Sequence, residues 1–338
     1  MTIRATFDIE PATPAAAAVL AAQLSTGAEG MGPAWAQGQV ASLAAGRAMV
    51  ELDEAIWGDS PAVLVSALIA GEAMETKAFS RCRLVDLELP DGYLPGPAIG
   101  AADTVDVGLI VKPSVGLGPA EVADVVRAAV AGGARLVKDD EVMGDPLWCP
   151  LEKRVAAVAE VLEPGVAYFA NVTGPSPTLV ERARRAVDLG STGVMVNAFA
   201  QGLDSLVALR HAGLGVPVLA HRAGSGPMAR NPTHGPSGAV LARLLRLVGA
   251  DHVIVGAFGG KLFETDADVD TNLVAVRAPC GSARPSTALL GGGLGPADVA
   301  AQVERAGGTG LVVLLGSAAY AGTGGIQAAV AAAVEALR

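Results

Sequence analysis

Aromatic residues are scarce in this chain. Phe, Trp and Tyr make up 4% of its 338 residues, so a large core has to come mainly from Ala, Val and Leu, within an apolar share of 51%. Cysteine is scarcer still. Cys82, Cys149 and Cys280 are odd in number and lack metal-type spacing, which points to a reducing compartment. Positive charge is in deficit, with 24 Lys and Arg against 34 Asp and Glu and a net charge of -10. No basic patch stands out to neutralise phosphates, so no nucleic-acid partner is expected. No run approaches the roughly 18 apolar residues of a membrane span, and Met1-Thr2-Ile3-Arg4-Ala5 carries no apolar signal core. The expectation is a cytoplasmic protein with no membrane partner.

The length exceeds a usual single domain and suits an eight-stranded α/β barrel with an extra module. Residues 1–100 read as a compact α+β unit: strands at 3–9, 48–52 and 82–89, an Ala-rich helix at 13–24 and another near 61–70. Pro90, Pro95 and Pro97 with interspersed Gly then form a connection, which places a boundary near residue 100. From 101 to 338 the pattern becomes regular. Apolar β-type runs fall at 105–111, 134–137, 167–172, 193–196, 217–220, 252–255, 286–290 and 310–315. Helical stretches lie between them at 119–131, 151–162, 177–189, 203–212, 238–248, 296–306 and 325–337. Eight strands alternating with helices imply parallel pairing and right-handed crossovers. The fold class expected is therefore α/β, a (β/α)8 TIM barrel preceded by a small α+β domain, with the active site at the C-terminal ends of the strands.

Polar residues collect at those ends. Lys112 follows the first strand, Asn171 ends the third, Asn197 the fourth and His221-Arg222 the fifth. Gly259-Gly260-Lys261, Gly291-Gly292-Gly293 and Gly316-Ser317 follow the last three. The densest cluster is Lys138-Asp139-Asp140-Glu141 at the end of the second. Side chains alternate faces along a strand, so Lys138 and Asp140 point one way and Asp139 the other, while Glu141 begins the loop and can swing back. Two carboxylates suit a hard cation such as Mg2+, which takes few protein ligands. An ammonium group cannot ligate a cation, but a lysine that has added CO2 is a carbamate and a third oxygen donor. Taken alone, such a run is more often an exposed salt-bridge cluster, and context has to decide.

Several motifs supply that context. Val111-Lys112-Pro113-Ser114-Val115-Gly116-Leu117, the stretch from Gly132 to Glu141, Ala220-His221-Arg222-Ala223, His234-Gly235, Gly249-Ala250-Asp251-His252 and Gly259-Gly260-Lys261-Leu262 stand in register. In order and spacing they resemble the large subunit of ribulose bisphosphate carboxylase and its RuBisCO-like relatives. Leu24-Ser25-Thr26-Gly27 and Arg83-Leu84-Val85-Asp86-Leu87 resemble, more loosely, that family's ferredoxin-like N-terminal domain. The resemblance implies a carbamylated Lys138 completing a Mg2+ site with Asp140 and Glu141. It implies proton handling by Lys112, assistance from His221, a phosphate grip at Arg222, a further active-site histidine at His252 and a mobile-loop lysine at Lys261. Gly292, Gly293 and Gly316 match loops whose N–H groups cradle a phosphate, and Asn171 joins the candidate substrate-binding residues. Neighbouring carboxylates are expected to raise the pKa of Lys138, and neighbouring cations to lower that of Lys112. Enolase relatives take a base from the N-terminal domain, here Lys77, and a homodimer is implied.

The departures narrow the activity. Ala28-Glu29 stands where carboxylases have a Thr-Trp pair, Gln23 where they have an acid, Ile254 a second histidine, Gly291 a serine and Ser114 a second lysine. Each swap removes a polar contact to a bisphosphate or to the carboxylated intermediate, at roughly 1.5 to 3 kcal/mol for a charged contact. CO2 fixation is therefore not expected. A non-carboxylating, form IV type protein that enolises a small phosphorylated keto or sugar-like substrate with Mg2+ is the leading expectation. A decarboxylase or transcarboxylase of a 3-oxo sugar-acid phosphate, and a non-catalytic barrel that binds a phosphorylated metabolite, are the alternatives.

Overall fold

The computed structural model describes residues 1–337; Arg338, the last residue of the expected barrel domain, lies outside them. Four strands open the chain: β1 (Thr2–Glu10), β2 (Gln39–Ala44), β3 (Arg47–Asp53) and β4 (Arg81–Glu88). They pair antiparallel in the order β4-β1-β3-β2. With helices Pro14–Gln23 and Pro61–Leu68 between them, this is the expected ferredoxin-like arrangement. β2 was not foreseen. It is an edge strand with nearly every residue exposed, so it lacks the apolar alternation that marks a strand with one buried face.

Eight further strands close the barrel: β5 (Val105–Ile110), β6 (Leu136–Lys138), β7 (Ala167–Asn171), β8 (Gly193–Asn197), β9 (Val218–His221), β11 (His252–Gly256), β12 (Thr287–Leu290) and β13 (Leu311–Leu315). All eight expected strands are present. They read as apolar runs because both faces are covered; β8 and β13 are buried at every position. Leu136, Phe169, Met195, Leu219, Leu289 and Leu314 fill the interior as one cluster. Gly193 leaves room for it, since a Cβ there would lie 2.6 Å from the Phe169 ring.

The helices follow from the sequence in the same way. In Pro119–Ala131, Pro sits at the first turn and Glu121 accepts the Gly118 N–H at 2.7 Å, while Val122, Val125, Val126 and Ala129 form the buried stripe. Helix Asp266–Arg277 was not among the expected ones. Its acidic first half hides the periodicity, although Thr265 and Asp268 cap it reciprocally.

The remaining strand, β10 (His234–Pro236), leaves the barrel after β9 and pairs parallel with β4 as the fifth strand of the N-terminal sheet. Arg83 reinforces this edge by donating to the carbonyls of Ala229 (3.1 Å) and His234 (3.4 Å). Asp251 fastens the linker at the opposite end of the barrel, accepting from Ile99, Gly100 and Val218 N–H groups at 2.7, 3.0 and 2.9 Å. Among the described residues no helix is long and apolar enough to cross a membrane.

Candidate active site at the barrel mouth

β6 is three residues long and ends on Lys138, whose side chain is fully buried. Its ammonium donates to the Asp139 carbonyl at 2.9 Å. Burial lowers the Lys138 pKa to about 8, against the opposing pull of the Glu141 and Asp140 carboxylates. The carboxylates do raise it, as expected, but the net shift is downward because the buried lysine loses its water and desolvation outweighs them. Asp139 turns to the outer face, as strand alternation requires. There it meets Arg154 Nη2 at 3.0 Å, Tyr168 Oη at 2.6 Å and the Asn171 N–H at 2.9 Å.

Asp140 is 1% exposed and pairs with the Lys112 ammonium. Burial raises its carboxyl, but Lys112 and the Val142 amide together hold it below its ordinary value. Lys112 follows β5, its backbone N–H held by Tyr320 Oη at 2.9 Å and its ammonium 2.8 Å from Ser114 Oγ. The cationic surroundings expected for Lys112 are thus offset by an anion in direct contact. Glu141, 36% exposed, places Oε2 3.7 Å from His221 Nε2. His221 Nδ1 accepts the Ala223 N–H at 3.1 Å, which leaves the proton on Nε2, toward Glu141. Burial, then the charges of Lys138, Arg222 and Lys112, hold this imidazole well below its ordinary value, so it is neutral near pH 7.

Lys112, Glu141 and His221 open on a cavity of about 430 Å3 that Arg222, Lys261 and the glycines 292, 293 and 316 also line, within the range of small-molecule sites; Lys138 and Asp140 are buried and do not line it. Lys261 is fixed at its backbone by the Gly292 carbonyl at 2.9 Å. Its stem runs along Gly293, where φ is +92° and a Cβ would sit 3.0 Å from Lys261 Cγ. A second cavity of about 240 Å3, between the linker and residues 280–284, contains none of the expected site residues.

Three expected site residues lie elsewhere. Asn171 is fully buried and spends its amide on the carbonyls of Asp140 (3.1 Å) and Glu141 (2.9 Å), so it shapes the acidic turn and does not face the cavity. His252 is the first residue of β11, two positions below Ile254, and its ring packs 4.9 Å from that of Phe169 inside the barrel. A strand's first residue lies at the wrong end to reach the mouth. Lys77 is exposed before β4, on the N-terminal domain, and does not line this chain's cavity. Arg222 does line it, but its guanidinium is paired with Glu264 and not left free. Sequence reasoning passed over Glu264, an acid three residues after Lys261. It also passed over Tyr320, one of three tyrosines in the chain, whose hydroxyl ties Lys112 to the Ile110 carbonyl at 2.8 Å.

Among the described residues no three His, Cys, Asp or Glu side chains converge on a metal position. Asp140, Glu141 and a carbamate on Lys138 would supply three hard oxygen donors. A buried amine with its pKa near 8 keeps the neutral fraction that CO2 requires, so the residues fit Mg2+.

Residues 100–337 match the ribulose bisphosphate carboxylase large chain, catalytic domain. The chain is 34% identical to 3-oxo-isoapionate-4-phosphate transcarboxylase/hydrolase of Xanthobacter autotrophicus over 72% of its length and 63% of the relative's. It is 38% identical to 2,3-diketo-5-methylthiopentyl-1-phosphate enolase of Geobacillus kaustophilus over 51% of its length and 47% of the relative's. It thus spans about half to two thirds of the length of these curated relatives. The crystal structure of a RuBisCO-like protein from Alicyclobacillus acidocaldarius superposes with a TM-score of 0.84 at 28% identity, covering 99% of this chain and 93% of that one. The chain belongs to the ribulose bisphosphate carboxylase large-chain family and is a RuBisCO-like protein within it.

Proposed function

We propose that the chain is a Mg2+-dependent enzyme that removes the proton alpha to a carbonyl of a small phosphorylated keto compound. The observation that carries this reading is the meeting of Lys112, Glu141 and His221 at one cavity, with Asp140 paired to Lys112 and the buried Lys138 within electrostatic reach of both carboxylates. There Lys138, as carbamate, Asp140 and Glu141 hold the cation, which when bound supplies positive charge against the negative charge developing on a carbonyl oxygen. Lys112 Nζ is the proton-handling group, held at the mouth by Ser114 and by the Tyr320 anchor on its backbone. Neutral His221 offers an Nε2–H hydrogen-bond donor and does not serve as a general acid near pH 7. Lys261 and the N–H groups around Gly292, Gly293 and Gly316 hold the phosphate, the usual barrel position for one. Lys77 is reserved for a neighbouring subunit's mouth.

A second reading has support of its own. The relative named a transcarboxylase/hydrolase aligns over a larger share of the chain than the enolase does. Loss of CO2 from a 3-oxo acid phosphate yields the same type of enolate, so the same residues serve both reactions. Incubating the protein with phosphorylated ketoses and 3-oxo acid phosphates in deuterated water, with and without Mg2+ and bicarbonate, separates them. Deuterium uptake without CO2 release is expected; CO2 release selects the second reading. Replacing Lys138 with Ala is expected to abolish either reaction. No exchange on any compound, with ligand affinity retained in the Lys138→Ala variant, would reduce the protein to a phosphometabolite binder.

A further inference from the structure

One end of the mouth cavity is not free to take an anion. The Arg222 guanidinium is paired with Glu264 Oε1, and the two side chains are 13% and 4% exposed. The second carboxylate oxygen, Glu264 Oε2, is buried without a hydrogen-bond partner, and so is Asn272 Oδ1. Both residues line a recess of about 10 Å3 together with Arg222, Ser225 and Ile254, and those last three also line the main cavity. The recess therefore adjoins the site across Arg222, Ser225 and Ile254 and has room for one oxygen atom with its hydrogens, near the lower limit for a water.

Two buried acceptors without partners beside one small space call for a donor. A phosphate near pH 7 offers mainly acceptors. Placed against Arg222 it would also meet the Glu264 carboxylate in a site shielded from water, where like charges repel most strongly. The opposite chemistry lies at the other wall, where Lys261 and the glycine loops present a cation and backbone N–H groups.

We propose that Glu264 is the specificity-determining residue of this site. It turns the Arg222 end into a receptor for a hydroxyl group, so that the cavity takes esters with one phosphate, held at the Lys261 end, and rejects a second. The inference rests on the reading of the mouth as a site for phosphorylated keto compounds and states which of them fit.

The test is calorimetric titration of ribulose 5-phosphate and ribulose 1,5-bisphosphate, two probes that differ by one phosphate, into the full chain with Mg2+ and bicarbonate present. The wild type is expected to bind the monophosphate at least tenfold more tightly. Glu264→Gln, which keeps the shape and removes the charge, is expected to shift the ratio at least tenfold toward the bisphosphate. A wild type that binds the bisphosphate as tightly as the monophosphate overturns the assignment, a result that needs no variant and leaves deuterium uptake standing. So does an unchanged ratio in a variant that melts like the wild type. Binding of neither ester, with no deuterium uptake from any phosphorylated ketone, overturns the underlying reading and this inference with it.

Discussion

Nδ1 of His252 is sealed from solvent with no hydrogen-bond partner, and burial pushes its pKa from 6.5 down to about 4, against a small opposing pull from Asp251. The unfolded chain takes up this proton near pH 6.5 and the folded chain only near 4, so the folded state is the one that resists protonation. Stability from this site is thus complete above about pH 6.5 and is lost as pH falls toward 4. The loss between pH 7 and pH 5 comes to about 2 kcal/mol. Urea unfolding of the wild type and of His252→Leu at the two pH values measures it, and the variant is expected to lose about 2 kcal/mol less. An equal loss in both would place the acid sensitivity elsewhere. His252 also marks the limit of motif reading. The motif identified the residue, but its position at the start of β11 takes it out of the cavity and into the barrel interior. Lys138 and Asp139 show the converse, because strand alternation alone separated the residue that faces the site from the one that braces the outer wall.

The turn after β6 depends on elements that the sequence does not place beside it. Asn171, at the end of β7, holds the Asp140 and Glu141 carbonyls and accepts the Thr173 N–H at 3.0 Å. Asn197, at the end of β8, holds the Glu141 carbonyl a second time at 2.7 Å. Asn171→Ala takes one of two donors from each of the Asp140 and Glu141 carbonyls and leaves the Thr173 N–H without its partner, and a loss of about 1 to 3 kcal/mol is expected in urea unfolding. Titration with Mg2+ in the presence of bicarbonate should show weaker binding, because Asp140 and Glu141 lose the brace that aims them. Cation affinity unchanged in a destabilised variant would limit Asn171 to a structural part. The barrel strands were legible because burial on both faces leaves unbroken apolar runs. β2 and β10 were not, since a short or exposed strand is defined by the edge it joins and not by its own pattern.

Some of the exposed large apolar side chains of the molecule lie on the loops that follow β6 and β11. Leu147 is fully exposed, Val142 60%, Leu262 43% and Phe263 37%, while Met31 at 61% and Trp35 at 58% stand out on the N-terminal domain. Exposed apolar side chains of this kind suit an interface, and the homodimer that the family resemblance implies, with one subunit's N-terminal domain over its partner's mouth, makes a prediction at this scale. Leu147→Asp is expected to weaken the dimer at least tenfold in sedimentation velocity and to lower deuterium uptake as monomer accumulates. A fully active wild-type monomer at micromolar concentration would sink this arrangement. The sequence by itself determined the eight strands, the order of the polar residues at their ends and the Lys138-Asp140-Glu141 triplet, because periodicity and spacing are local properties of a chain. Only the tertiary structure decided that Asn171 braces the acidic turn, that His252 lies below the cavity floor and that Glu264 occupies Arg222. Those outcomes depend on which side chains from distant strands and loops meet in a space that water cannot enter. Burial then reverses what charge alone would predict, as it does for the pKa of Lys138.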